Sequence, residues 1–410
     1  MSTFKTLDDL ESGQRVLLRV DLNSPVEEGT VKDNRRFSRH AETVRELLAD
    51  DHRVAILAHQ GRPGRDTFVA TEQHASILGG HIDHEVAYVE ETYGDAAVDA
   101  IRSLEESEAL MLENVRMTAD ELPEKDPAEH AESDLVQTLT PEFDVYVNDA
   151  YSAAHRAHAS LVGFPLLMPS YAGRVMEHEY EYNSSVASRE FDGDVTMVVG
   201  GTKATDVIEV MNALHDRVDN FLLGGVAGEL FLRAEGYPVG YDIETDIFDD
   251  QWGINDDTIR RLLAEYGDKI VLPVDLAYES HDGQRRAIAV DDIENKKSSY
   301  LDVGPETVAA YAQIIHDSAA VFVKGALGVF EDERFNEGTV GVLEEIAATD
   351  CFSVVGGGDT SRAIEMYGLD EGYFSHVSIA GGAYIRALTG EELVAVEELR
   401  RAAVRADNAH

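Results

Sequence analysis

Apolar positions in this chain gather in short runs that stop abruptly at polar or charged residues, and between the runs the spacing widens to that of amphipathic helices. In the first half, Val16-Leu17-Leu18 gives way to Arg19-Val20-Asp21-Leu22-Asn23, and Ala55-Ile56-Leu57-Ala58 to His59-Gln60-Gly61-Arg62. Two further runs, Ala109-Leu110-Met111-Leu112 and Val145-Tyr146-Val147, end in Glu113-Asn114-Val115-Arg116 and Asn148-Asp149. Helical spacing over residues 39–49 and 132–139 separates them. The second half repeats the alternation, with strand-like runs at 195–199, 221–223, 270–272, 321–323 and 352–355, each followed by a glycine-containing turn or a helix. This is the pattern of parallel βαβ units and predicts an α/β fold with parallel sheets. A polar helical stretch at 177–183 leads into Ser184-Ser185-Val186-Ala187-Ser188, which reads as a helix ending in a linker. The boundary is expected there, giving domains 1–183 and 184–392.

Composition narrows the setting. A chain of 410 residues with 44% hydrophobic content can bury a large core divided over two domains. The single cysteine, Cys351, rules out an intrachain disulfide and any multi-cysteine metal site, which points to reducing cytoplasm. The N-terminus lacks a signal-like apolar core and no stretch is long enough to span a bilayer, so a soluble protein without a membrane partner is expected. Acids outnumber Lys and Arg by 79 to 34, for a formal charge of −45. The acids are interleaved with regular apolar runs, unlike a disordered acidic tail, and form no concentrated patch for a basic partner. Molar salt, in which the Debye length falls to roughly 3 Å, would screen them, and the scarcity of lysine agrees with salt adaptation. Nucleic acid is a poor partner for such a surface.

Against that acidic background the cations at the strand ends stand out. Ligands of open α/β sheets sit at the carboxyl ends of strands, so Arg and His repeated there describe a pocket for a small, highly charged anion. The second half offers glycine instead: Gly200-Gly201, Gly224-Gly225, Gly325 with Gly328, Gly356-Gly357-Gly358 and Gly381-Gly382. Glycine between a strand and a helix lets backbone N–H groups approach a phosphate at the positive end of the helix, so this half is read as the nucleotide site. In Gly356-Gly357-Gly358-Asp359-Thr360, Asp359 either holds Mg²⁺ or simply favours the helix dipole, and Thr360 either caps the helix or bonds a phosphate. Lys203, one of eight lysines, follows a strand and a double glycine, where an ammonium would stabilise a phosphoryl group in flight. His155 and His158 flank Arg156 in a loop; a metal site there lacks a third ligand at a telling spacing, and Arg156 is the better candidate for anion contact.

Taken in order, these segments resemble phosphoglycerate kinase over nearly the whole chain. The matching motifs are Arg19 through Pro25, Asp33-Asn34-Arg35-Arg36, His59 through Pro63, Leu112 through Arg116, Asn148 through Ser160, Gly200-Gly201-Thr202-Lys203, Leu272-Pro273-Val274-Asp275, Asp302-Val303-Gly304-Pro305, Gly328-Val329-Phe330-Glu331, Gly356 through Thr360 and Ser375-His376-Val377-Ser378. The resemblance implies two Rossmann-like domains joined by a hinge, with the C-terminal segment 393–410 packing back on the first. It implies 3-phosphoglycerate on the N-terminal domain, contacted by Asp21, Leu22, Asn23, Arg36, His59, Gln60, Gly61, Arg62, Arg116 and Arg156. MgATP or MgADP would lie on the C-terminal domain, contacted by Lys203, Gly224, Gly225, Lys324, Glu331, Gly357, Gly358, Asp359 and Thr360, with Asp359 on the metal. Arg36, Lys203, Gly358 and Gly382 would form the catalytic group of a monomeric, cytoplasmic kinase.

The chain departs from that family at three places. A second lysine expected four positions after Lys203 is Val207, Lys324-Gly325-Ala326 replaces Asn-Gly-Pro, and Ala380 interrupts a triple glycine. Lys324 is therefore expected either to restore the charge missing at Val207 or to be lineage drift. A nicotinamide dehydrogenase would share the alternation but should show the full glycine fingerprint in its first βαβ unit, which is absent. A non-catalytic anion-binding protein would have no use for Lys203, Asp359 and Glu331. Salt adaptation carries its own test: the thermal unfolding midpoint should rise from dilute buffer to molar KCl, and a flat or falling curve would remove that reading while sparing the enzymatic one.

Overall fold

The computed structural model describes residues 4–239, 246–294 and 299–408. The chain forms two compact units, Met1–Glu181 with Glu392–His410, and Tyr182–Glu391. The first unit contains β1 (Arg15–Arg19), the small antiparallel ladder of β2 (Val26–Glu27) and β3 (Thr30–Val31), then β4 (Arg53–Leu57), β5 (Val86–Tyr88), β6 (Ala109–Met111), β7 (Val145–Asn148) and β8 (Ser170–Ala172). Six of these strands form one parallel sheet in the order β5-β6-β4-β1-β7-β8. Successive side chains of a strand point to opposite faces, and here both faces are covered: Val16, Leu18, Val54 and Ile56 pack into one apolar cluster, Leu17, Ala55 and Leu57 into another. That explains why the strands read as unbroken apolar runs.

The second unit holds β9 (Val195–Val199), β10 (Asn220–Leu223), β11 (Ile270–Val271), β12 (Asp275–Glu279), β13 (Arg285–Ala289), β14 (Tyr300–Val303), β15 (Ala320–Lys324), β16 (Phe352–Gly356) and β17 (His376–Val377). A parallel sheet runs β11-β10-β9-β15-β16-β17. Beside it lies a feature the apolar runs did not predict, an antiparallel sheet in the order β13-β12-β14. Its hairpin turns through Asp282-Gly283, with Gly283 at φ +74°, a turn dipeptide in a stretch whose outer strand is largely exposed and so lacks an apolar run.

Helix boundaries follow local chemistry. The helix expected over 39–49 starts earlier, at Arg35, because Asn34 caps it by accepting from Arg36 N at 2.9 Å. The one expected over 132–139 begins at Asp134, capped by Ser133. The predicted linker after residue 183 is instead a short helix, Ser185–Ser188, following Arg174–Asn183. Two acidic motifs of the second unit serve the fold. Asp275 accepts from Thr307 N (2.8 Å) and Glu306 N (3.1 Å), capping the helix Pro305–Asp317. Asp302 accepts from Gly338 N (2.9 Å) and Arg285 (3.2 Å). In the first unit the C-terminal helix Val394–Asn408 is seated by Ala395 N on Ala154 O (3.0 Å) and by Arg405 on Pro165 O. Among the described residues no helix is long and apolar enough to cross a membrane.

Two buried histidines tie the first unit's stability to pH. His74 bonds Gln60 Oε1 through Nε2 (3.0 Å), leaving Nδ1 without a partner, and burial lowers it to about 4. His158 is lowered to about 3, by burial first and then by the neighbouring Arg116, Arg19 and Arg156. The unfolded chain binds protons at these positions below about pH 6.5 while the folded chain does not, so stability falls as pH drops from 6.5 toward 4. At pH 5 the loss is roughly 2 kcal/mol for each histidine relative to pH 8. Urea unfolding in molar KCl, which screens the carboxylates, should show this loss, and His74→Gln should remove roughly 2 kcal/mol of it, His158 and the buried His59, which is lowered in the same direction, carrying the rest; an unchanged acid limb would assign the loss to other groups.

Candidate functional site

The first unit builds its candidate site at the carboxyl ends of β1, β4 and β7. Beneath it lies Arg19, with no exposed surface. Its Nε donates to Ser160 Oγ (2.7 Å), one terminal nitrogen to Val20 O, and the other contacts Glu121 (3.7 Å) and His59 Nδ1 (3.0 Å). Glu121 is itself buried and accepts from Ser160 N and Ser160 Oγ, each at 2.8 Å. Because a guanidinium can only donate, His59 Nδ1 is an acceptor, and the ring proton sits on Nε2. Burial, together with Arg19, Arg116 and Arg36, holds His59 well below the ordinary histidine range, outweighing Asp21, so the ring is neutral.

His59 Nε2 lies 3.7 Å from Asp21 Oδ1. Asp21 also accepts from Arg36, from Ser152 Oγ and from Asn23 N (3.1 Å). Burial alone would raise this carboxyl, but the Arg36 charge and these hydrogen bonds keep it well below the usual carboxylate range. Arg36 in turn sits on the first turn of the helix Arg35–Ala49 and donates to Ser152 Oγ at 3.2 Å. Asn23 accepts from Gly61 N at 2.8 Å. Gly61 has φ +64°, and a Cβ there would lie 2.3 Å from Thr67 O, so the close loop needs glycine.

The remaining cations are uncommitted. Arg116 is 6% exposed, donates to Gly61 O (2.6 Å), and leaves Nε without a partner. Burial, then Arg19 and Arg156, lower it to about 10. The guanidinium groups of Arg62 and Arg156 make no hydrogen bond or ion pair with any described residue. In an acid-rich chain, three under-satisfied guanidiniums are a site for an anion.

Two residues expected here lie elsewhere. Leu22 is fully buried in the apolar core. Gln60 is also fully buried, and its amide is spent on Ser24 N (2.8 Å), Ser24 O (2.9 Å), Thr67 O (3.0 Å) and His74. Both brace the loops and neither offers surface. Arg19, counted from the sequence among the strand-end cations facing an anion, is instead fully buried and spent on Ser160, Val20 O, His59 and Glu121. The sequence assigns no individual role to Glu121 or Ser160, and a charge inside an apolar run, as in Leu18-Arg19-Val20, is a signal for a buried, partnered group.

In the second unit the glycine turns after β9, β10, β15 and β16 converge. Gly325, at φ +83°, would bring a Cβ within 2.4 Å of Gly200 O, so two backbones touch where side chains are excluded. Beside them opens a largely apolar cavity of about 300 Å³, lined among others by Gly225, Leu301, Val329, Glu331 and Asp359, the lower end of the range for small-molecule sites. Lys203 is the exposed N-cap of the helix Ala204–Leu214, and its ammonium has no described partner. Gly357 caps the helix Gly358–Met366, and Asp359 is exposed on its first turn without an ion-pair partner. A free carboxylate at this position could hold a divalent cation. Glu331 accepts from Arg362 (3.2 Å) at the cavity edge. Gly224 and Gly225 open the helix Gly225–Glu235, and Gly382 opens Gly382–Leu388.

Thr360 is 1% exposed and its hydroxyl donates to Gly356 O (2.5 Å), so of the two roles open to its side chain this structure shows the local one, pinning the turn. Lys324 ends β15 in register with Gly356 and Val199, and its ammonium is paired with Asp206. Val207 is fully buried in the helix-to-sheet packing. His158 is buried beside Glu121 (3.7 Å), and among the described residues no group of three His, Cys, Asp or Glu could hold a metal ion.

A model of the phosphoglycerate kinase family matches residues 7–391. A phosphoglycerate kinase from Halorubrum lacusprofundi is 69% identical over 406 residues, covering 99% of this chain and all of that protein. One from Haloarcula marismortui is 67% identical over 400 residues, covering 97% and 100%. Among solved structures, phosphoglycerate kinase from Pyrococcus horikoshii superposes with a TM-score of 0.90 at 31% identity, over 98% of this chain and 99% of that one. The Coxiella burnetii enzyme gives 0.80 at 29% identity, over 98% and 100%.

Proposed function

The chain belongs to the phosphoglycerate kinase family, and on that premise we propose which residues of each unit hold each substrate. The activity is reversible phosphoryl transfer between 1,3-bisphosphoglycerate and ADP, giving 3-phosphoglycerate and ATP. 3-Phosphoglycerate binds the first unit. The observation that carries this is the set of under-satisfied guanidiniums, Arg62, Arg156 and the buried Arg116 Nε, in a chain with 79 acids. They take the phosphate, while ionised Asp21 accepts from the glycerate hydroxyl, and Asn23, His59 Nε2–H and Arg36 meet its carboxyl end. The nucleotide binds the second unit, its phosphates on the turns at Gly224-Gly225 and Gly357-Gly358, its ribose near Glu331.

The attacking carboxylate of 3-phosphoglycerate is already ionised at neutral pH, so no general base and no covalent enzyme intermediate are needed. What the site must supply is neutralisation of the charge on the moving phosphoryl group, the task of Lys203 and Arg36 with the helix N-terminus at Gly358. Asp359 would hold Mg²⁺, which would supply further neutralisation of phosphate charge. A hinge motion that excludes water protects the acyl phosphate from hydrolysis. The lone Cys351 and the −45 charge support a monomer working in a reducing, salt-rich cytoplasm.

A coupled assay of ATP-dependent 3-phosphoglycerate phosphorylation in molar KCl tests these roles. Lys203→Ala is expected to lower kcat by about 10²–10³-fold with a smaller change in KM. Arg156→Ala is expected to raise the KM for 3-phosphoglycerate by about tenfold or more. If Arg62→Ala and Arg156→Ala both leave that KM unchanged, the anion lies elsewhere. Lys324, ion-paired with Asp206, lends charge to the phosphates in place of the lysine missing at Val207. Lys324→Asn should therefore weaken ATP use, and unchanged ATP kinetics would reduce Lys324 to a structural partner of Asp206.

A further inference from the structure

Glu229 is a buried acid for which neither the fold nor the phosphoryl transfer has a use. It lies in the helix Gly225–Glu235 between apolar neighbours, Val226-Ala227-Gly228 before it and Leu230-Phe231-Leu232 after it. Only 7% of its surface is exposed, and that surface lines the cavity of the second unit together with Leu276, Tyr300, Leu301 and Val329. Its carboxyl makes no hydrogen bond or ion pair with any described residue. A buried polar group is rarely left unpaired unless a ligand completes it. Burial, with no compensating charge, pushes it up to about 8, so at neutral pH it is the uncharged acid.

A neutral carboxylic acid is planar and carries a donor and an acceptor about as far apart as adjacent groups on a purine edge. Resting on the assignment of the nucleotide to this cavity, we propose that Glu229 reads the purine base. Its carbonyl oxygen accepts from the exocyclic 6-amino group of adenine and its O–H donates to the neighbouring ring nitrogen. The apolar walls at Leu276, Leu301 and Val329 cover the ring faces. The glycine turns can hold any nucleoside diphosphate or triphosphate by its phosphates. Glu229 is what makes the site recognise a purine by its 6-position.

The experiment is a double-mutant cycle on KM, in molar KCl, with ATP and purine riboside triphosphate, which lacks the 6-amino group, against wild type and Glu229→Leu. In wild type, removing the amino group should raise KM about tenfold, and Glu229→Leu should raise the KM for ATP similarly, with kcat little changed. In Glu229→Leu the two nucleotides should be equivalent within about twofold. Glu229→Gln, which keeps one donor and one acceptor, should stay within about threefold of wild type with ATP. Unimpaired discrimination in Glu229→Leu, or none in wild type, overturns the proposal. Val329→Trp, at a half-exposed position filling the same cavity, separates the two levels. If it leaves the KM for ATP unchanged, the nucleotide is not in this cavity and the underlying assignment falls. If it blocks ATP while Glu229→Leu still discriminates, only the base-reading role falls.

Discussion

Arg19 has no exposed surface, and a guanidinium taken out of water costs several kcal/mol unless its donors are met. Ser160, Val20 O, Glu121 and His59 meet them, and each of those contacts fixes something above. Glu121 carries the balancing charge and orients Ser160. His59 receives an Arg19 proton donor on Nδ1, which fixes its tautomer and leaves Nε2–H pointing toward Asp21. Asp21 then has neutral donors in Ser152, Asn23 N and the nearby His59, and one true counter-ion, Arg36. The geometry of the upper layer is thus inherited from a buried ion group that touches no substrate, the kind of support a pre-organised site requires.

The same accounting explains why the first unit can hold an anion at all. Each buried acid in this region, Asp21, Glu121 and Asp149, is matched by a cation or a hydrogen-bond donor: Arg36, Arg19 and His40 respectively. Removing those pairs from the balance leaves Arg62, Arg116 Nε and Arg156. Positive charge is in excess locally while the chain as a whole is strongly negative. Burial first, and then the neighbouring guanidiniums of Arg19 and Arg156, hold the Arg116 proton less firmly than in water.

Sequence reading succeeded where one residue type carried one physical signal. Apolar runs gave both parallel sheets because strands covered on two faces cannot hide their composition. Post-strand glycines marked where two backbones approach closely, as Gly325 does to Gly200. It failed where the signal was shared. The antiparallel sheet of β12, β13 and β14 alternates weakly, and only Asp282-Gly283 announced its hairpin. Gln60 and Thr360 sit beside binding turns, and only coordinates show that their polar atoms face inward and are spent on the loops. Leu22 follows Asp21 in the same motif, beyond the end of β1, yet its side chain packs into the apolar core. Glu229 was overlooked for the opposite reason: one acid in an amphipathic helix looks like surface, and its burial depends on strands far away in the chain.

Salt returns as a constraint on how the anion can be held. Near 1 M ionic strength the Debye length is about 3 Å, so long-range attraction between the patch and a distant phosphate is essentially gone. Binding must then come from contact, in places where ions of the solvent do not reach. A solvated lysine on a flexible stem is poorly suited to that, since its charge is screened as readily as any other. A guanidinium held by a backbone carbonyl, as Arg116 is by Gly61 O, keeps its remaining donors fixed and partly desolvated. In molar salt, recognition of the charge would rest on such fixed geometry, which suits arginine at the strand ends better than lysine.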